Sequence, residues 1–341
     1  MKAAFLRAPN HVSVEDVPTP KIGRGEVLVK MMASGVCQTD VKNVRAPSQK
    51  PVVLGHEVTG EVVEVGEGVS TSKVGDRVFV HHHVPCFVCY YCRSQDYTMC
   101  DDFRSVNLDP CGFAEYFRVP RQLVERGSVL QLPSEVSFES GTLIEPTGCC
   151  IRAIVKCNVR VDSSVSIIGV GPIGLTFVQL LKVFGAGQVI VSDLSNVRLE
   201  VARRFGADVA VNPSEEGFLK QLKDATEGRG PDIAVVAVGS VEAVAQALDS
   251  VRKGGKVILF GELPERAVFS YELGKILRRE ISIVPSYSTT EIETNMALGL
   301  MKSRRIDLGG LISHRLRLDS AAEAVQIAAE GRDSLKVILL P

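Results

Sequence analysis

The chain has 341 residues, 45% hydrophobic and 23% charged, with a formal net charge of -1. That length suggests two domains and can bury a sizeable core, while the balanced charge offers no electrostatic footprint for nucleic acid or an acidic membrane surface. No apolar run approaches the roughly 18 residues that a bilayer span needs.

The first residues, Met1-Lys-Ala-Ala-Phe-Leu-Arg-Ala-Pro, turn polar too early for the apolar core of a signal peptide. Residues 1 to about 35 read as β: Val27-Leu-Val-Lys-Met-Met follows the Gly23-Arg-Gly25 turn, and Pro18 and Pro20 punctuate the approach. Val58 to Val65 is a second clear strand, ended by Gly66-Glu-Gly68, and Gly75-Asp76-Arg77-Val-Phe-Val80 continues the pattern. Short strands at this spacing predict a small barrel-like β domain. The run His81-His82-His83 reads as a strand with alternate rings exposed, a metal site being the other reading.

Cys86-Phe-Val-Cys89-Tyr-Tyr-Cys92 and then Cys100 place four thiols at spacings of three, three and eight. Cys-x-x-Cys repeats with a nearby fourth thiol match metal-ligand spacing, and Zn²⁺ prefers four sulfurs at about 2.3 Å. Unrelated cysteines or two disulfides are the alternative. A site closed by four protein ligands is structural, so the chemistry belongs elsewhere. The other five cysteines, Cys37, Cys111, Cys149, Cys150 and Cys157, show no pairing pattern, which fits a reducing, cytoplasmic setting.

After Leu130-Gln-Leu-Pro133 the texture changes, and helix-like segments alternate with short all-apolar strands from about 150 to 285, as in a parallel sheet covered on both faces. Val165-Ser-Ile-Ile-Gly169-Val-Gly171-Pro172-Ile173-Gly174 runs an apolar strand into Gly-x-Gly-x-x-Gly, followed by a helix to Phe184 and the strand Gln188 to Ser192. Such glycines permit a tight turn and close approach of a pyrophosphate to amides at a helix start. Asp193, nineteen residues past Gly174, is placed to accept from both ribose hydroxyls. An acid there repels a 2′-phosphate and favours NAD over NADP, while Arg198 keeps NADP as the minority reading. Further strands at 208–211, 232–237, 255–261 and 281–284 make about six, a complete Rossmann doubly wound parallel sheet, and the chain ends in the strand Lys336-Val-Ile-Leu-Leu340.

A nicotinamide cofactor needs a partner that activates an alcohol or carbonyl. Candidates are Gly35-Val-Cys37-Gln-Thr39-Asp40, Gly55-His56-Glu57 and Leu143-Ile-Glu145-Pro146. Each alone has a packing or capping explanation. Together, beside a closed metal lobe and a dinucleotide fold, they read as one constellation.

These segments, with Gly75-Asp76-Arg77-Val78, Gly112-Phe-Ala-Glu115-Tyr116 and Ile312-Ser-His314-Arg315, resemble the zinc-containing medium-chain dehydrogenase/reductase superfamily, in its sorbitol/polyol and threonine dehydrogenase branch, over nearly the whole length. The resemblance implies a GroES-like β-barrel catalytic domain (1–148 and 287–341) around an inserted NAD-binding Rossmann domain (149–286). It implies two Zn²⁺ per subunit: a catalytic ion on Cys37, His56, Glu57 and Glu145, and a structural one on Cys86, Cys89, Cys92 and Cys100. Asp40 would orient His56, and Thr39 would accept the substrate proton. Gly169, Gly171, Pro172, Ile173, Gly174, Asp193 and Arg198 would serve NAD. Lys42 replaces the histidine that ends the proton relay in many relatives. The segment Pro285-Ser-Tyr-Ser-Thr-Thr-Glu291 lacks the arginine found there in sorbitol dehydrogenases.

The expected activity is zinc-dependent, NAD-linked oxidation of a secondary alcohol in a polyol, sugar or sugar-derived acid. The alternatives are a threonine or amino-alcohol dehydrogenase and, in another class, a non-catalytic NAD(H)-binding regulator that keeps the fold. Asn43, Arg45 and Lys50 lie in the compact loop between Cys37 and His56, where basic groups suit a phosphorylated or carboxylated polyol or a solvated surface. A small-molecule alcohol is the expected partner, with no nucleic acid or membrane, in a cytoplasmic homotetramer or homodimer.

Overall fold

Val27–Gly35 is the strand on which the first unit is built: Val27, Val29 and Met31, alternate residues on one face, are fully buried, while Lys30 between them is exposed. It pairs antiparallel with Glu57–Val65 from Val27 opposite Val65 to Gly35 opposite Glu57. Its far end also meets the last strand, Lys336–Leu340, with Ile338 opposite Gly35. The sheet runs Ile312–Arg317, Lys336–Leu340, Val27–Gly35, Glu57–Val65, Arg77–Val80, Val129–Gln131, and Tyr116–Val119 adds a seventh strand beside Val27–Gly35. A small sheet of His11–Asp16, Lys2–Ala8 and Val52–Val53 completes the β framework. Its core includes Val58, Val62, Phe113, Phe117 and Leu339, each fully buried, and each such side chain contributes about 1.5–3 kcal/mol by leaving water.

These features come from a computed structural model in which residues 1–45, 50–215, 217–331 and 334–341 are described. The chain separates into two units, residues 1–148 with 289–341, and residues 149–288. Residues 46–49 of the loop between Cys37 and His56 lie outside the described residues; Lys42, Arg45 and Lys50 are exposed.

The second unit is a six-stranded, all-parallel sheet in the order Val209–Val211, Gln188–Ser192, Ser164–Ile168, Ile233–Val236, Lys256–Leu259, Ser282–Pro285. Its central strands are mostly apolar, with Val165, Ile167, Val189, Ile190, Val191 and Val235 fully buried and Ser166 buried among them, as expected where helices cover both faces. Helix starts are capped locally: Ser195 Oγ accepts the Arg198 amide at 3.4 Å, and Ser240 Oγ accepts the Ala243 amide at 3.3 Å. The strand order reverses at Ser164–Ile168, where crossovers leave toward opposite sides, the switch point outside whose carboxyl end open parallel sheets bind their ligands.

One long helix, Ile144–Cys157, carries Glu145 and Pro146 in its first turn, a place where proline is tolerated and an acid opposes the helix dipole favourably.

Candidate active site and metal centres

The four cysteines of the lobe converge. Their sulfurs lie within 4.8 Å of one another, and Cys86 Sγ is 3.9 Å from Cys92 Sγ. A tetrahedron with metal–sulfur arms of about 2.3 Å has edges of about 3.8 Å, so the donor set fits zinc. The short helix Tyr90–Arg93 and a pair of 3₁₀ turns fold the segment back, and backbone amides face the sulfurs: Cys89 donates to Cys86 Sγ at 3.3 Å and Cys86 donates to Cys100 Sγ at 3.3 Å. The amides of Val88 and then Cys89 draw the Cys86 thiol down to about 6, whereas burial pushes Cys92 up to about 12. All nine cysteines are free thiols, which removes the two-disulfide reading of this lobe.

A second donor set forms where two elements of the first unit meet. Cys37 stands at the start of the helix Gln38–Arg45, and His56 and Glu57 stand at the start of the strand Glu57–Val65. One ligand atom from each of the three lies within 4.8 Å of the others. Asp40 is buried in the first turn of that helix and ties the two segments together, accepting the Cys37 amide at 2.9 Å and the Gly55 amide at 3.1 Å. Its Oδ1 lies 3.7 Å from His56 Nδ1, within ion-pair reach though longer than a hydrogen bond. Burial alone would lower the His56 imidazole, but the negative charges of Cys37 and Asp40 overcome it and hold it well above its ordinary value. A thiol, an imidazole and a carboxylate converging in this way are donor types that zinc accepts.

Glu145 is buried, and its negative charge raises Glu57 and Lys336. Thr39 is half-buried two residues past Cys37.

Lys336 enters this site from the last strand. Its ammonium pairs with Glu57 Oε2 and donates to the Val36 carbonyl at 3.1 Å, and the residue is buried. Burial lifts Glu57 above the ordinary carboxylate range against the pull of Lys336. Burial would lower Lys336, but Glu57 and then Cys37 hold its ammonium above its ordinary value. Nothing in the apolar run Lys336-Val-Ile-Leu-Leu340 marks this lysine as a site residue. The one signal was a cation opening an otherwise apolar strand.

The three consecutive histidines differ from their sequence reading. The strand ends at Val80 and the chain bends at His82, so alternation is lost and exposed rings do not result. His81 and His82 are buried and His83 is half-buried. His81 Nδ1 lies 2.8 Å from Glu291 Oε1 at the start of the helix Glu291–Lys302. The His82 ring sits 4.7 Å from the His56 ring and 3.8 Å from that of His83. Burial, followed by the neighbouring imidazoles, holds His82 well below its ordinary value. Burial and then His81 and Arg104 bring His83 to about 3, so both rings are neutral.

In the second unit the strand Ser164–Ile168 passes through Gly169, Val170 and Gly171 into the helix Pro172–Val183. Gly169 has φ +93°, open to glycine at little cost, and a Cβ on Gly174 would stand 2.0 Å from the Gly169 carbonyl oxygen. A Cβ on Gly171 would meet no protein atom closer than 4.0 Å, so that backbone faces open space in front of a helix start. Such a cradle accepts a pyrophosphate. Pro172 occupies the first helical turn, with Ile173 behind it, where a missing amide costs nothing. Asp193, just past the strand Gln188–Ser192, accepts the Val170 amide through Oδ2 and the Ser195 amide through Oδ1, each at 2.9 Å. Carboxylate oxygens have lone-pair sites to spare, so capacity for ribose hydroxyls remains. Arg198 Nη1 lies 3.9 Å from Asp193 Oδ2.

A parallel six-stranded sheet with a glycine-rich phosphate cradle and an acid after the second strand defines a dinucleotide-binding oxidoreductase, here joined to a β unit with two metal-type donor sets. The chain matches the alcohol dehydrogenase GroES-like domain over residues 23–134 and the zinc-binding dehydrogenase family over residues 172–303. It is 34% identical to a sorbitol dehydrogenase of Bacillus subtilis (strain 168), covering 100% of this chain and 97% of the relative. It is likewise 34% identical to an L-threonine 3-dehydrogenase of Pyrococcus horikoshii, covering 95% of this chain and 94% of the relative. A solved zinc-binding dehydrogenase of Sinorhizobium meliloti 1021, bound to NADP, superposes with a TM-score of 0.91 at 30% identity, covering 100% of this chain and 99% of that one. This chain belongs to the zinc-containing medium-chain dehydrogenase/reductase superfamily and is a dehydrogenase. No helix among the described residues is long and apolar enough to cross a membrane.

Proposed function

We propose that this dehydrogenase oxidises a secondary alcohol of a polyol, sugar or sugar-derived acid to the carbonyl, with NAD as acceptor. Its catalytic zinc is held by Cys37, His56, Glu57 and Glu145, and its structural zinc by Cys86, Cys89, Cys92 and Cys100. The observation that carries this reading is the convergence of Cys37, His56 and Glu57 within 4.8 Å in a chain whose other metal-type cluster is closed by four thiols. When bound, the zinc supplies Lewis acidity toward a hydroxyl oxygen and the nicotinamide accepts the hydride.

The chain's own groups do the rest. Cys37, His56 and the two acids fix the place where the hydroxyl is polarised. Thr39 Oγ1, at the start of the helix Gln38–Arg45, takes the hydroxyl proton and hands it outward. Lys42 is exposed one turn further along, so the proton leaves by the lysine or by solvent water. Asp40 holds the Cys37 and Gly55 amides and thereby the relative placement of the two ligand segments. The amides around Gly171 bind pyrophosphate, and Asp193 selects the unphosphorylated ribose by charge. In this reading the protein works in the cytoplasm as a homotetramer or homodimer.

The test is turnover of the zinc-loaded protein with NAD against a panel of polyols, sugar phosphates and sugar acids. Oxidation of at least one member supports the substrate class, and no turnover of any excludes it. A second reading, an amino-alcohol dehydrogenase, draws on the equal 34% identity to the threonine enzyme. Activity with L-threonine and none with sugar alcohols would select it.

A further inference from the structure

Glu57 has two claimants. Its carboxylate is one of the three donors gathered within 4.8 Å, and the same side chain pairs through Oε2 with the buried ammonium of Lys336. The contact is built into the fold. Lys336 opens the last strand, 279 residues from Glu57 in the chain, and its Nζ is fixed a second time by the Val36 carbonyl at 3.1 Å. Gly35 leaves the room: a Cβ there would stand 2.1 Å from Glu57 Oε2 and 2.9 Å from Lys336 Cε. Side-chain exposures of 7% for Lys336 and 1% for Glu57 leave the pair little shielding by water.

Charge counting shows what the lysine does. A divalent ion with a Cys37 thiolate, a neutral His56 and the carboxylates of Glu57 and Glu145 carries one net negative charge, and Lys336 cancels it. Without the lysine, that negative charge is no longer cancelled by the cation paired with Glu57.

We propose that Lys336 and the catalytic zinc compete for the Glu57 carboxylate, so that Lys336 acts as a positioning residue keeping Glu57 an exchangeable partner of the metal rather than a fixed ligand. The proposal rests on the reading of Cys37 and His56 as zinc ligands. It assigns to Lys336 a role in metal exchange and turnover beyond neutralising a buried acid. Partners that hold a ligand from behind typically change metal affinity by about 10–100-fold. Here the sign is reversed, because the partner draws the ligand away.

The experiment compares wild type with Lys336→Met, Lys336→Arg, Glu57→Gln and the Glu57→Gln/Lys336→Met double variant. Readouts are zinc per chain, the rate of zinc release to a chelator, the visible spectrum after Co²⁺ replaces the labile ion, and the split between kcat and KM. Lys336→Met should release the second zinc about tenfold more slowly. It should shift the Co²⁺ bands toward higher coordination and lower kcat more than KM. Lys336→Arg should stay near wild type. In the Glu57→Gln background the effect of Lys336→Met on zinc release should shrink to under about twofold. The double variant removes both charges together and keeps the test open if Lys336→Met alone folds poorly.

Zinc release from Lys336→Met as fast as or faster than from wild type, with an unchanged Co²⁺ spectrum, would overturn the proposal. So would an equal effect in the Glu57→Gln background, which would mean that Lys336 acts independently of Glu57. A wild type holding one zinc per chain, all of it on the cysteine lobe, would instead remove the catalytic-zinc reading itself.

Discussion

Asp40 Oδ1 lies 3.7 Å from His56 Nδ1, while the same carboxylate binds the amides of Cys37 and Gly55, so one buried acid braces both segments that carry the proposed catalytic ligands. Burial opposes its charge, but His56 and the two amides hold Asp40 below the ordinary carboxylate range. Asp40→Asn keeps the shape but loses the charge and one amide acceptor. It should reduce retention of the labile zinc and lower kcat/KM by about 10–100-fold. Metal analysis after dialysis, beside steady-state kinetics, checks this; unchanged values for both would remove Asp40 from the site's support.

Removing a thiol from the lobe should act on stability first. Cys100→Ser should leave about one zinc per chain and lower the thermal midpoint by several degrees, since structural zinc contributes folding free energy directly. Differential scanning calorimetry with metal analysis decides it. A variant that keeps its midpoint and both ions would show that the four sulfurs hold no structural metal.

Coenzyme choice should follow the charge on Asp193. Asp193→Asn retains an oxygen able to accept the Val170 amide but no longer repels a 2′-phosphate, and Arg198 stands 3.9 Å away to attract one. The ratio of kcat/KM with NADP to that with NAD should rise by about 10–100-fold. An unchanged ratio would mean that selection lies elsewhere.

The histidine run gives the stability a pH dependence. Burial, then His81 and Arg104, bring His83 to about 3, well below an unfolded histidine at about 6.5. Between those values the unfolded chain binds a proton that the folded chain refuses. The stability tied to a neutral His83 is therefore fully present above about pH 6.5 and is lost as pH falls toward 3. His83→Gln removes this dependence, so from pH 6.5 to 5 the stability gap should move in favour of the variant by about 2 kcal/mol, at roughly 1.4 kcal/mol per pH unit. Urea unfolding of both proteins in excess zinc measures it, and a constant gap would contradict the assignment.

The fold class was legible because its signals are local. Gly-x-Gly-x-x-Gly after an apolar strand, an acid after the next strand and a run of short apolar segments are each decided within a few dozen residues, and the parallel sheet follows from them. The four-cysteine lobe was legible for the same reason. Lys336 was not, because its role depends on strand register: Ile338 must lie opposite Gly35, and Gly35 opposite Glu57, before the ammonium reaches the acid. The run His81-His82-His83 was misread because period-two alternation was extended past Val80, where the ladder stops. The helix Ile144–Cys157 was legible only from about residue 150, since the proline at its third position reads locally as a break.

The most direct test of the central claim is zinc content and turnover of His56→Ala. The account predicts a folded protein with about one zinc per chain, retained on the cysteine lobe, and kcat/KM lowered by at least about a thousandfold. A variant that keeps two zinc ions, or turns over alcohol like the wild type, would contradict it.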